Sequence, residues 1–249
     1  MPLAPAPVLN NRYRIVKLLG KGGFGAVYRA WDLQITKAFA NQHHPHFSAD
    51  GERILLASDQ DGYFNIYVID SQSGEIIQQL TDSQSTDMTP FWLPDESSFV
   101  FMSNRDGDHE IYQGFIDGSP PTQLTDNSSY DGTSSVSPDG RFVVFYSNRF
   151  GNPDIYLLEL KSGREIQLTS SSARDAEPAF SPDGEWIVFE SNREGSYDIW
   201  VMRLDGSGLH RVTSDAANEQ IPAFSPDGLW VLYQSNQSGS YDIFRVPWQ

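Results

Sequence analysis

A short turn motif recurs five times at near-constant spacing along this chain, and that period restricts the chain to a repeat architecture. The copies are Ser48-Ala49-Asp50-Gly51, Leu93-Pro94-Asp95-Glu96, Ser137-Pro138-Asp139-Gly140, Ser181-Pro182-Asp183-Gly184 and Ser225-Pro226-Asp227-Gly228, with aspartates 45, 44, 44 and 44 residues apart. A fixed period of this size describes supersecondary units that bury their apolar faces only against their neighbours.

Each unit has one grammar, clearest in the fourth. Pro178-Ala179-Phe180-Ser181 leads into the Pro182-Asp183-Gly184 turn, and Trp186-Ile187-Val188-Phe189 follows. A polar loop, the run Asp198-Ile199-Trp200-Val201-Met202, the Asp205-Gly206-Ser207-Gly208 turn and Leu209-His210-Arg211-Val212-Thr213 complete it. Aromatic and β-branched runs between Gly, Pro, Asp and Asn turns suit four antiparallel strands, and no helical periodicity of three and four is visible. Four strands per unit, repeated around an axis, describe an all-β fold, the β-propeller. Each blade is then covered on both faces, so a strand such as Phe142-Val143-Val144-Phe145 can be apolar at consecutive positions.

The pattern P-x-F-S-P-D-G, S-N-R-x-G, D-I-Y and L-T resembles the TolB-like propeller repeat, also called the WD40-like or PD40 repeat. Ser103-Asn104-Arg105, Ser147-Asn148-Arg149 and Ser191-Asn192-Arg193 recur in register, matched by Ser58-Asp59-Gln60 and Ser235-Asn236-Gln237. Leu80-Thr81, Leu124-Thr125, Leu168-Thr169 and Val212-Thr213 share a phase. The fifth unit lacks its Leu-Thr strand, and Leu33-Gln34-Ile35-Thr36 stands at the matching phase before the first. Residues 32–249 are therefore expected to form a five-bladed propeller of four-stranded blades, the last closed by an N-terminal strand near 32–37. Propellers of the resembled family typically have six blades, so an open or oligomeric ring is the alternative.

Residues 1–31 are expected to be an N-terminal tail. Within it, Gly20, Gly22, Gly25 and Val27 fill the fixed positions of G-x-G-x-x-G-x-V, and the stretch from Tyr13 to Asp32 resembles the opening of a bacterial Ser/Thr protein kinase. No V-A-I-K lysine strand, H-R-D loop, D-F-G aspartate or A-P-E follows. Phosphoryl transfer depends on a lysine and metal-bound carboxylates to position the nucleotide, so a glycine loop alone supports no kinase activity. The segment reads as the remnant of a kinase and propeller fusion, with Gly20 to Gly25 as a flexible turn and nucleotide binding at Gly20, Gly22 and Gly25 as the alternative function.

Seventeen basic and 33 acidic side chains give a formal charge of −16, which disfavours nucleic acid and anionic lipid surfaces. A protein or cationic peptide is the better partner. With no cysteine there are no disulfides, thiolate metal sites or cysteine nucleophile. The amino terminus lacks the pattern of a secretory signal and no run reaches the length of a membrane span, so a cytoplasmic monomer is expected, with the periplasm implied by the resemblance. No cofactor, catalytic residue or metal site is expected.

Asp87, Asp131, Asp175 and Glu219 occupy one phase, just before the innermost strand of successive blades, with Gln42 in the first. They are candidates for an acidic ring at the channel mouth that binds a cationic peptide or a metal ion. The alternative is internal pairing, because the three aspartates occur in units that carry Arg105, Arg149 and Arg193, whereas Gln42 occurs with Gln60. Glu219 has Gln237 in its unit and is the carboxylate expected to be free. His43, His44 and His46 read as a solvated loop, and the aspartates of 59–61 and 106–108 as turns without calcium-loop spacing. Without a G-x-S-x-G elbow there is no hydrolase nucleophile. The chain is accordingly read as a non-catalytic interaction module that binds its partner at the channel mouth and the surrounding loops, or as a structural fragment without ligand.

Overall fold

The computed structural model describes residues 8–9, 13–22, 25–32 and 41–248. Among the described residues every regular element is a strand. Blade 1 comprises β4 (Gln42–Phe47), β5 (Arg53–Ser58), β6 (Asn65–Asp70) and β7 (Ile76–Gln79). Blade 2 comprises β8 (Asp87–Trp92), β9 (Ser98–Ser103), β10 (Glu110–Phe115) and β11 (Thr122–Gln123). Blade 3 comprises β12 (Asp131–Val136), β13 (Phe142–Ser147), β14 (Asp154–Glu159) and β15 (Arg164–Gln167). Blade 4 comprises β16 (Asp175–Phe180), β17 (Trp186–Ser191), β18 (Asp198–Arg203) and β19 (His210–Arg211). Blade 5 comprises β20 (Glu219–Phe224), β21 (Trp230–Ser235) and β22 (Asp242–Pro247). Each is an antiparallel meander in chain order, and the five form a β-propeller. The strand expected to complete blade 5, around Ile35, lies outside the described residues.

The Ser-Pro-Asp-Gly corners fold for local reasons. In blade 4, Ser181 Oγ donates to Asp183 and accepts from Trp186 N at 2.9 Å, while Gly184 N bonds Ser181 O at 2.9 Å with Gly184 at φ +73°. Blade 2 has Glu96 where the others have glycine, at φ +52°, a conformation that costs a side chain about 1 kcal/mol. Its carboxylate crosses to blade 1, where it accepts from Ala49 N at 2.5 Å and pairs with Arg53, so the strained residue ties two blades together.

Alternate residues of each middle strand face different interfaces. Val143 and Phe145 pack with Val100 and Ile111 of blade 2, whereas Val144 and Tyr146 pack with Phe180, Ile187 and Phe189 of blade 4. This is why the strand is apolar at every position. The same division places Leu55 and Val68 against Trp92 and Phe99 between blades 1 and 2, and Val188 and Val201 against Val231 and Tyr233 between blades 4 and 5.

First strands of successive blades pack on one another, so they are the innermost. Their ends are aligned by one bond repeated between blades: Asp87 N to Phe64 O, Asp131 N to His109 O, Asp175 N to Pro153 O and Glu219 N to Tyr197 O, at 2.7 to 2.9 Å. The second-to-third strand loops of all blades therefore share one face with the acidic positions. Each inner strand also carries a β-bulge, and His44, Thr89, Glu177 and Ile221 sit at these bulges with φ between +51° and +54°.

Two expectations are corrected here. His43, His44 and His46 lie in β4 and not in a solvated loop: His43 meets the Phe64 ring edge-on at 5.3 Å and His46 lies 3.8 Å from Phe91. Of the glycine-rich segment, expected to be a flexible turn, the described residues 20–22 and 25 are strand instead. β1 (Val8–Leu9), β2 (Tyr13–Gly22) and β3 (Gly25–Asp32) make a three-stranded antiparallel sheet, with Gly20 and Gly22 in β2 and Gly25 opening β3 opposite Gly22. Backbone pairing on both sides of the glycines selects a hairpin over an open turn.

Candidate functional site

The acidic positions open the first strand of blades 2 to 5 directly opposite the serine that ends the second: Asp87 faces Ser103, Asp131 faces Ser147, Asp175 faces Ser191 and Glu219 faces Ser235. All eight residues are fully buried. In blades 2 to 4 an arginine completes the group. Arg105 uses one terminal nitrogen to meet both oxygens of Asp87 at 3.0 Å, and Arg193 meets both oxygens of Asp175 at 2.8 Å. Arg149 reaches Asp131 Oδ2 at 2.9 Å and turns its other terminal nitrogen to Glu165. In all three blades the arginine Nε donates to the serine hydroxyl at 2.9 Å. Two nitrogens thus address carboxylate and hydroxyl in turn, instead of forming a fork on the carboxylate alone.

Beneath each guanidinium lies a pair of aromatic rings. Arg105 stands 5.1 Å from Phe101 and 4.9 Å from Tyr112; Arg149 stands 5.8 Å from Phe145 and 4.4 Å from Tyr156; Arg193 stands 5.5 Å from Phe189 and 4.6 Å from Trp200. A cation held over ring faces and against a buried carboxylate is favoured by both interactions. Asp87, Asp131 and Asp175 are therefore occupied by their own chain.

Blade 5 has the same seat without its arginine. Tyr233 and Phe244 stack at 6.1 Å and 24°, close to the 5.7 Å and 29° of Phe145 and Tyr156. Gln237 N bonds Ser235 Oγ at 3.2 Å, as Arg193 N bonds Ser191 Oγ at 3.3 Å, so the loop backbone follows the same path. The Gln237 side chain is exposed, and neither carboxylate oxygen of Glu219 has a hydrogen-bond partner. Thr213 and Asp215 lie close enough to bear on its titration without forming a bond of proper geometry. Burial pushes the Glu219 carboxyl up to about 7, the Thr213 hydroxyl opposes the shift, and Asp215, through its carboxyl as a hydrogen-bonding neighbour and its charge, and Asp198, through its charge, add to it. Burial, with a smaller contribution from the negative charge of Glu219 and Asp215, raises the Tyr233 phenol to about 12.

A second polar chain joins the third and fourth strands. Thr81, Thr125, Thr169 and Thr213 each accept through Oγ1 from the backbone N of Ile66, Ile111, Ile155 and Ile199 at 2.9 Å. Thr125 donates to Glu110 and Thr169 to Asp154, while Asp198 takes Arg211 at 2.7 Å. Burial lifts the Glu110 carboxyl to about 7. The sequence signal lies in the D-I-Y and L-T phases, which these bonds join.

The rim of this face also carries rings that the sequence reading did not single out. Tyr63, Phe150 and Tyr241 lie in second-to-third strand loops and are 48%, 73% and 50% exposed. Their signal was an aromatic residue in an otherwise polar loop. Among the described residues no group of three or more His, Asp or Glu side chains is arranged to hold a metal ion.

The family model described as the TolB beta propeller domain (PD40) matches residues 32–150 and 132–207. The Tol-Pal system protein TolB of Bordetella pertussis is 36% identical over 53 residues, 21% of this chain and 12% of that protein. The serine/threonine-protein kinase TOUSLED of Arabidopsis thaliana is 67% identical over 27 residues, 11% of this chain and 4% of that protein. The matches thus span a small part of either relative's length. A TolB-type structure from Agrobacterium tumefaciens superposes with TM-score 0.74 at 28% identity, over 88% of this chain and 79% of that one. TolB from Acinetobacter baumannii superposes with TM-score 0.74 at 22% identity, over 95% and 60%. An oligogalacturonate lyase in complex with manganese shares the fold at TM-score 0.63 and 20% identity, over 81% and 60%, so enzymes occur among the structural neighbours.

Proposed function

This chain belongs to the TolB beta-propeller family, and we propose that it works as a non-catalytic interaction module, binding a protein or peptide segment of positive charge on the face that carries the second-to-third strand loops. The observation that carries this reading is the exposure of Tyr63, Phe150 and Tyr241 on that face of a chain with formal charge −16. Exposed aromatic rings are enriched where proteins meet, and charge complementarity steers encounter. The TolB relationship supports a protein as the partner class, and neither nucleic acid nor a membrane surface suits the charge. No helix among the described residues is long and apolar enough to cross a membrane, and family analogy makes the periplasm the expected compartment in place of the cytoplasm.

The test is calorimetric titration of the full chain with lysine- and arginine-rich peptides, using Phe150→Ser and Tyr241→Ser as probes. Binding that weakens on either substitution supports the reading. Affinity unchanged by both, or no binding to any cationic peptide, contradicts it and leaves a structural fragment. A second reading, nucleotide binding by the hairpin that carries Gly20, Gly22 and Gly25, draws on the 27-residue kinase match. Measured ATP affinity with Gly22→Ala and Gly25→Ala decides it, because loss of binding on substitution is required.

A further inference from the structure

Blades 2 to 4 show what their shared seat is shaped to hold. In each, a buried carboxylate, a serine hydroxyl and two aromatic rings surround one guanidinium. Blade 5 keeps the carboxylate in Glu219, the hydroxyl in Ser235 and the ring pair in Tyr233 and Phe244. Blade 1, which also lacks arginine, has Gln42 in place of the acid and Leu56 in place of the first ring, so its seat is dismantled. Only in blade 5, among the described residues, does the seat persist without an occupant from its own chain.

We propose that the Glu219 seat takes the guanidinium of an arginine side chain presented by a bound peptide. The geometry follows the internal examples. One terminal nitrogen meets the Glu219 carboxylate, Nε donates to Ser235 Oγ, and the plane of the group lies over Tyr233 and Phe244. An isolated carboxylate enclosed by protein is costly unless it gains a partner, and Glu219 has neither oxygen bonded. Gln237 is exposed and its backbone holds the loop in the register that Arg193 has in blade 4, while the Glu219 carboxylate is closed to solvent, so a guanidinium enters from the face that carries the exposed rings only as the loop above the seat gives way. A planar group with several fixed donors satisfies both carboxylate and hydroxyl, whereas a lysine ammonium is a compact, strongly hydrated point charge. The seat therefore selects arginine over lysine. This inference rests on the interaction-module reading and adds its specificity.

The full chain, labelled for carboxyl and aromatic NMR signals, is titrated with a short peptide carrying one arginine and with the same peptide carrying lysine. The probes are Gln237→Arg, which fills the seat from within, and Glu219→Gln. The expected result is a shift of the Glu219 and Tyr233 signals by the arginine peptide, about tenfold weaker binding of the lysine peptide, and loss of the arginine preference in both variants. N-acetylarginine amide, added alone, should compete with the peptide at the same signals, and weaker binding than the peptide would assign the remaining affinity to the rim. Equal binding of both peptides, or an arginine preference retained in Gln237→Arg, overturns the seat. Peptide binding that shifts rim aromatics but leaves Glu219 and Tyr233 unmoved overturns the seat while sparing the module reading; silence from every peptide sinks both.

Discussion

Blades 4 and 5 share one seat and differ in whether their own chain supplies its arginine. Ser191 and Ser235, Phe189 and Tyr233, Trp200 and Phe244, and Asp175 and Glu219 correspond position for position, and the loops are pinned by the same backbone bond to serine. Arg193 closes the first seat and Gln237 leaves the second open. The comparison teaches that a repeat protein can convert a structural element into a recognition element without altering its backbone. A side chain that one blade supplies to itself is left for another molecule to supply to the next.

The largest expected effect lies on the closed side. Removing Arg193 by substitution to alanine leaves Asp175 buried without a counter-charge, and breaking such a pair costs about 3 to 5 kcal/mol. Gln237→Ala, at the same position of blade 5, should change stability by less than about 0.5 kcal/mol. Urea unfolding of both variants measures the difference, and equal losses would break the comparison.

Next comes the reverse exchange. Gln237→Arg should raise stability by about 1.5 to 3 kcal/mol, the usual contribution of hydrogen bonds to charged groups, read in the same unfolding assay. A destabilised variant would mean that blade 5 cannot hold the arginine its neighbours hold.

The pH dependence sharpens the contrast further. Glu219, raised from 4.5 to about 7 in the fold, binds protons more tightly folded than unfolded, so its contribution is fully present below 4.5 and lost as pH rises towards 7. Glu110 acts in the same direction, while burial lowers His46 to about 4, and its contribution is lost as pH falls from 6.5. The wild-type profile mixes these opposing effects. The difference between wild type and Gln237→Arg isolates Glu219, and the stability gain of the variant should be larger at pH 7.5 than at pH 4.5. The smallest effect is expected at Thr169→Val, which removes bonds to Ile155 N and Asp154 and should cost about 1 kcal/mol in thermal unfolding.

Much of this was legible in the sequence because the repeats act as internal controls. The Ser-Pro-Asp-Gly corners mark the turns directly, since the serine and aspartate make local bonds and the glycine needs a positive φ. The pairing of aspartates with arginines and the isolation of Glu219 could be read from covariation among units alone. Other features are set by tertiary packing and leave little local trace. Thr89 and Ile221 are β-branched residues at φ +51° and +52°, and no propensity rule places them at a left-handed bulge. His46 reads as loop beside His43 and His44, yet it lies in β4 and its ring is held by Phe91 from the next blade. That Gln237 is exposed and leaves both Glu219 oxygens without a hydrogen bond is revealed only by coordinates.

The most direct measurement is the titration of the Glu219 side-chain carboxyl by carbon-detected NMR, in the wild type and in Gln237→Arg. The account predicts a midpoint near 7 in the wild type, falling below 4.5 when the arginine arrives. A wild-type midpoint in the ordinary carboxylate range would contradict it, because Glu219 would then already have water or a partner of its own.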